Sequence, residues 1–182
     1  MQDEQNLVQR AQDGDEQAFT QLYESHFDKI YRYVALRIGN KMEAEDLTQQ
    51  VFLKALRSIH SFKWRGIAFS AWLFRIARNL IVDYLRKERK IAIAPLDDSL
   101  ASKSHNPHNP QIMAELKLDI EQLTLATTKL TRAQQEVISL RFAGELPIAE
   151  VAKVMGKSEG AIKALQHSAI VALRKTLSGG MI

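Results

Sequence analysis

Glu159, Lys163, Gln166, His167 and Lys175 recur at helical spacing along one side of the run from Glu159 to Leu177, with Arg174 beside them. Hydrogen-bonding groups and cations set out in this way can reach base edges and phosphates in a DNA major groove. A second set lies upstream. Arg75, Arg78, Asn79, Arg86 and Arg89 share one helical stretch, and Phe62 and Trp64 alternate with Lys63 and Arg65 just before it. An arginine-rich helix can lie along a phosphate backbone, and rings beside cations can hold unstacked bases. Plainer readings stay open for each: a solvated helix face for the arginines, core packing for the two rings, and an ordinary helical hairpin for the C-terminal run. Other chemistry has little support. There are no cysteines, so no disulfide framework and no thiolate metal site. The five histidines show no metal-binding spacing. No glycine-rich phosphate loop is present, and nothing spaces a nucleophile with a base and a carboxylate. The chain is therefore read as non-enzymatic, with no metal and no cofactor.

The elements that must position these groups are helical. In Pro147-Ile-Ala-Glu-Val-Ala-Lys-Val-Met-Gly156, proline suits a first helical position and Gly156 a left-handed stop. Ser158 can then cap a second helix, whose apolar face is Ile162, Leu165, Ala169, Ala172 and Leu173. With small Ala152 at the contact, and Val151, Met155, Ile162 and Leu165 closing the inside, this spells a helix-turn-helix. Thr131 and Gln134 form a capping box for the helix before it. Upstream, a short helix is expected over Asn6–Ala11. A long one capped by Asp15 carries Ala18, Phe19, Leu22, Tyr23, Phe27, Ile30, Tyr31 and Val34 inward, and ends near Gly39. A third runs from about Met42 to Ile59, with Ala44, Leu47, Val51, Phe52, Ala55 and Leu56 as its apolar positions. Ser61–Ala68 reads as a loop. A fourth helix from about Phe69 to Lys90 buries Phe69, Trp72, Leu73, Ile76, Leu80 and Tyr84.

Strand signals are nearly absent. Three of the four prolines fall within Ile91–Pro110, among aspartates, serines and asparagines, which marks a linker. A helix from about Gln111 to Ala126 with Ile112, Met113, Leu116, Ile120 and Leu123 resumes the fold. The fold class is all-α: two small helical domains, 1–90 and 112–182, joined by a flexible linker over 91–111, the C-terminal one with a helix-turn-helix. Charge is unevenly spread over this plan. Residues 54–90 hold ten basic and two acidic groups, and residues 131–182 hold seven and four, whereas residues 91–130 are net −2. Two basic blocks separated by an acidic one suggest two nucleic-acid contacts on one chain. No apolar run approaches the roughly 20 residues that span a bilayer. The N terminus is polar and acidic, unlike a signal peptide, so a cytoplasmic protein without membrane insertion is expected.

Several runs converge on one family. Trp72-Leu73-x-x-Ile76-Ala77-Arg78-Asn79-x-x-x-Asp83-x-x-Arg86 resembles the promoter-melting helix of bacterial RNA polymerase sigma factors of the two-domain extracytoplasmic-function group. Ala44-Glu45-Asp46-Leu47-x-Gln49-x-Val51-Phe52-x-Lys54-Ala55 is similar to their core-polymerase-binding segment, and Leu130-Thr131 through Leu140-Arg141-Phe142 with the helix-turn-helix to their promoter-reading domain. The resemblance implies that Asp46, Gln49, Gln50 and Phe52 dock on the β′ clamp helices of core RNA polymerase, with the β flap as a further contact. It implies that Phe62, Lys63, Trp64, Arg65, Arg75, Arg78, Asn79 and Arg86 bind and melt the −10 element of promoter DNA. Arg89 would add a phosphate contact. It implies that Arg141, Ser158, Glu159, Lys163, Ala164, His167 and Ser168 serve the −35 element, that Asp97 and Asp98 mimic nucleic-acid phosphate in the polymerase cleft, and that an anti-sigma factor is a partner. Gln50 stands where the family usually has an acid, Trp64 is atypical, and Ala164, Leu165 and Ser168 replace residues that are often larger or basic. A DNA-binding repressor or activator that works without polymerase, and a helical interaction adaptor, are the rival readings.

Overall fold

The computed structural model describes residues 2–93 and 126–178. Helices α1 (Gln2–Gln12), α2 (Glu16–Ile38), α3 (Lys41–Ser58) and α4 (Phe69–Ile93) form a first bundle, with a short 3₁₀ turn over Ile59–Ser61. A second, smaller bundle consists of α5 (Arg132–Ile138), a π turn over Ser139–Ala143, α6 (Ile148–Met155) and α7 (Glu159–Ser178). Among the described residues there is no strand, and no helix is long and apolar enough to cross a membrane. The expected linker beyond Ile93 and most of the helix expected from Gln111 lie outside the described residues, as do Asp97 and Asp98.

Local chemistry accounts for the helix starts. The Asp15 carboxylate accepts the Ala18 N–H, and the Asn40 side chain accepts the Glu43 N–H at 3.2 Å. Thr131 and Gln134 make the reciprocal capping box. Pro147 occupies the cap itself rather than the first helical position, with α6 beginning one residue later. α1 starts four residues earlier than its apolar pattern suggests. Its first turn is polar, and Asp3 and Glu4 there suit the helix dipole, while Glu4 accepts from His26 on α2 at 2.9 Å. At its other end the Gln12 amide donates to the carbonyls of Ile59 and Phe62, both at 2.9 Å, which ties α1 to the turn after α3.

The inward residues expected of α2 are buried, apart from half-buried Phe19 and Tyr23. Ala44, Leu47, Val51, Phe52 and Ala55 of α3 are buried where that helix packs on α2 and α4. Leu56 does not join them; it faces outward. α4 departs further from a single stripe. Phe69 and Leu73 are buried as expected, but so are Phe74 and Ile81, and Tyr33 of α2 is fully buried as well. The reason is a second partner. The Phe74 ring meets Tyr33 edge to face at 5.2 Å and presses on Gly144 of the second bundle. A β-carbon at position 144 would lie 2.8 Å from that ring, so only glycine permits the approach.

Among the described residues three carboxyls are held below their ordinary range: Glu4 by the His26 hydrogen bond, Asp15 by the Arg10 hydrogen bond, and Glu145 by the Lys29 hydrogen bond. A lowered folded-state pKa gives stability that is present above the unfolded value and lost as pH falls through the folded one. The unfolded values are 4.5, 3.8 and 4.5. Urea melts should therefore show stability flat in this respect at neutral pH and declining as pH falls below the mid-fours; a midpoint unchanged down to pH values below all three would contradict these pairings.

Candidate polymerase and promoter interfaces

α3 presents two faces. Its inward face carries Phe52, which is 5% exposed and sits against Tyr23 and Phe27 at 4.7 and 6.2 Å between ring centres. Asp46 and Gln50 are exposed and Gln49 is half-buried. The apolar groups that reach solvent are Leu53 (53%) and Leu56 (47%), with Met42 at the helix start. Leu53 and Leu56 share a shallow depression of about 240 Å³ with Phe19, Tyr23, Gln49 and Phe52. The sequence carried a signal for this. Gln49, Leu53 and Leu56 follow helical spacing, offset from the Leu47, Val51, Ala55 core stripe.

The loop between α3 and α4 separates its two aromatics. Phe62 is 5% exposed and surrounded by Trp64, Phe69 and Trp72 at 5.1, 5.4 and 5.2 Å. Trp64 is the ring at the surface, 37% exposed, between exposed Lys63 and Arg65. On α4, Asn79 and Arg86 are exposed, and Arg86 pairs with Asp83 at 3.0 Å. Arg75 and Arg78 turn instead toward the second bundle. Arg75 donates to the Lys153 carbonyl at 3.2 and 2.8 Å. Arg78 stands 3.9 Å from the Glu136 carboxylate.

In the second bundle Gly156 adopts the left-handed conformation (φ 64°) and ends α6. The Ser158 hydroxyl accepts the Ala161 N–H at 3.2 Å and caps α7. Val151, Ala152 and Ile162 are buried, and the two helices pack on each other. Glu159, Lys163, Ala164, His167 and Ser168 are all exposed on α7. Arg141 is held in place: it donates to Gln166 Oε1 at 2.9 Å and to the Leu146 carbonyl. Ser168 is also engaged, accepting from Gln134 at 3.1 Å and donating to the Leu165 carbonyl at 3.0 Å. Glu159, Lys163 and His167 therefore give this face its exposed polar groups, with half-buried Gln166 beside them. Among the described residues no cluster of metal-ligating side chains is present.

This helical arrangement matches known proteins. Residues 22–91 match the family model "Sigma-70 region 2", and residues 128–175 match "Sigma-70, region 4". The chain is 41% identical to the ECF RNA polymerase sigma factor BldN of Streptomyces coelicolor over 94% of its own length and 64% of that protein's. It is 32% identical to the ECF RNA polymerase sigma factor SigW of Bacillus subtilis, covering 93% of this chain and 94% of SigW. Its fold is similar to that of CnrH, solved in complex with the cytosolic domain of CnrY, with a TM-score of 0.74 and 22% identity over 97% of this chain and 98% of that one. RpoE of Bartonella quintana, solved with the anti-sigma factor NepR, gives a TM-score of 0.68 and 24% identity over 88% and 96% of the two chains. With both sigma-70 regions in order on one chain and SigW matched along nearly its whole length, the chain belongs to the extracytoplasmic-function (ECF) family of RNA polymerase sigma factors.

Proposed function

We propose that this protein is a non-enzymatic transcription initiation factor that binds core RNA polymerase and directs it to specific promoters. The observation that carries the reading is the presence of sigma-70 regions 2 and 4 on one chain. The α3 face with Asp46, Gln49, Gln50, Leu53 and Leu56 is the docking surface for the β′ clamp helices, polar groups around an apolar centre. Trp64, Lys63, Arg65, Asn79 and Arg86 receive the −10 strand, with Trp64 stacking an unstacked base. Lys163 and His167 address the −35 element in the major groove, and Arg141 holds Gln166 at its edge. The two domains run over 1–90 and 112–182, a division supported by the separate helical bundles within 2–93 and 126–178, and an anti-sigma factor that covers these faces completes the set of partners.

Run-off transcription with core polymerase on a genomic promoter library tests the reading. Defined start sites that depend on the added protein are the expected result; transcription no different from core alone would refute it. Within that assay Asn79→Ala should slow promoter opening by about tenfold or more while closed-complex affinity changes little, because a flipped base costs a few kcal/mol to unstack and needs its pocket. Equal losses in both steps would remove Asn79 from base capture.

A further inference from the structure

The seam between the bundles is built around one carboxylate. Glu136 of α5 is buried, 6% exposed at its side chain. Its oxygens face three groups of the first bundle. The Tyr33 hydroxyl donates to one oxygen in a short bond, and burial is the main cause that lifts that phenol well above its ordinary pKa. Arg37, 5% exposed at its side chain, reaches the other oxygen at 3.2 Å, and its Nη1 donates to Gln135 at 3.0 Å. Arg78 lies 3.9 Å away. Two guanidiniums thus share one negative charge, and the Nε atoms of both are buried with no hydrogen-bond partner among the described residues. Beside them opens a cleft of about 260 Å³, rimmed by Arg89, Arg132 and Lys157. No ion pair engages those three cations among the described residues.

We propose that Tyr33, Arg37 and Arg78 form a phosphate-binding site of the first bundle, which the Glu136 carboxylate fills in this arrangement and a DNA backbone phosphate fills when the bundles part. The inference rests on the reading that this bundle binds promoter DNA, and adds Tyr33 and Arg37 to its contacts. A phosphodiester matches a carboxylate in the two respects that matter here. It carries one negative charge and presents two unsubstituted oxygens to guanidinium forks and a hydroxyl. Exchange therefore keeps the site neutralised, whereas simple opening would strand two arginines facing each other. The rim cations extend the positive field that draws a polyanion toward it.

Exchangeable polar contacts flank this site along the seam. Buried apolar residues of the two bundles meet in one continuous core, which includes the Tyr33, Phe74 and Gly144 contact, and polar bonds ring it. Arg75 donates to the Lys153 carbonyl, and the Ala68 N–H donates to Glu150 at 3.4 Å. Lys29 and Arg32 pair with Glu145 at 2.9 and 3.2 Å. Glu145 makes its pairs from a left-handed backbone (φ 56°), the one non-glycine residue so placed among the described residues. Charge pairs of this kind trade partners readily, and the seam occupies Arg75 and Arg78, two residues that the family resemblance assigns to the −10 element. Closure and DNA binding by the first bundle are then competitive.

The full chain can test this because it lacks cysteine, so Lys54→Cys and Val171→Cys give two clean labels at exposed positions, one in each bundle. Glu136→Gln keeps an acceptor for Tyr33 and removes the charge. It should widen the label-to-label distance distribution and raise affinity for a fluorescent mixed-sequence DNA duplex, without polymerase, by about tenfold at low salt. Adding Arg37→Ala to Glu136→Gln should undo most of that gain and reduce the salt slope of binding by about one. Wider separation with no gain in affinity, or a gain that Arg37→Ala leaves intact, would overturn the proposal. So would an unchanged distance distribution. If Glu136→Gln folds poorly, Glu145→Gly serves as the opening variant; it removes two ion pairs and relieves the backbone at an exposed position. Arg86→Ala, outside the seam, separates the two levels of inference. If it weakens duplex binding while Arg37→Ala does not, the phosphate site is wrong and the DNA-binding surface stands; if neither weakens it, the surface assignment itself falls.

Discussion

Replacing Leu53 and Leu56 together by glutamate is expected to weaken association with core RNA polymerase by at least roughly 100-fold, about 2.7 kcal/mol. The two leucines are half exposed on α3 and form the apolar centre of the face that also carries Asp46, Gln49 and Gln50. Central apolar anchors inside a polar rim commonly contribute about 2 kcal/mol or more each when truncated, and a buried glutamate would add a desolvation cost. Because neither leucine lies in the core, helix content and the melting midpoint should stay near those of the parent chain. Phe52→Ala makes the contrasting case. That ring packs among Tyr23 and Phe27, so its removal should lower stability by about 3–5 kcal/mol, and any loss of polymerase binding would follow from unfolding. Co-elution with core polymerase, read beside thermal melts of the same variants, decides it. A double glutamate variant that still co-elutes stoichiometrically would move the docking surface off this face.

The second large effect divides the two aromatics of the loop before α4. Phe62→Ala should cost about 3–5 kcal/mol of folding stability, because the ring sits at the centre of a cluster with Trp64, Phe69 and Trp72. Trp64→Ala should cost much less stability and instead weaken capture of a melted −10 strand by about 1–3 kcal/mol, the scale of one base stacked on one ring. Urea melts and binding of single-stranded promoter DNA to the polymerase complex measure the two quantities separately. If Phe62→Ala leaves the melting midpoint in place, or Trp64→Ala leaves strand affinity in place, the division of labour between the rings is wrong.

Much of this molecule was legible residue by residue. The caps at Asp15 and Thr131 and the glycine stop at Gly156 are local hydrogen bonds and local backbone preferences, decided within four residues of chain. The apolar stripes of α2 and α7 follow from helical period alone, and the motif runs around Asn79 and through Lys163 point to the family whose regions 2 and 4 the chain matches. Tertiary structure decided what period cannot express. A repeat of 3.6 residues identifies apolar positions, but not whether they face the helix's own bundle, a distant one or solvent. Leu56 and Phe52 both read as core, yet packing left one outside. Phe62 and Trp64 both read as candidate base-stacking rings, and only the cluster around Phe69 shows which is enclosed. Tyr33, Phe74 and Glu136 carry no local signal in the sequence, because the groups that bury them lie 41 to 103 positions away. Burial and charge pairing between segments so far apart depend on how two bundles meet, which is why helical spacing marks Arg78 as a functional cation but neither Arg37 nor the carboxylate the two share.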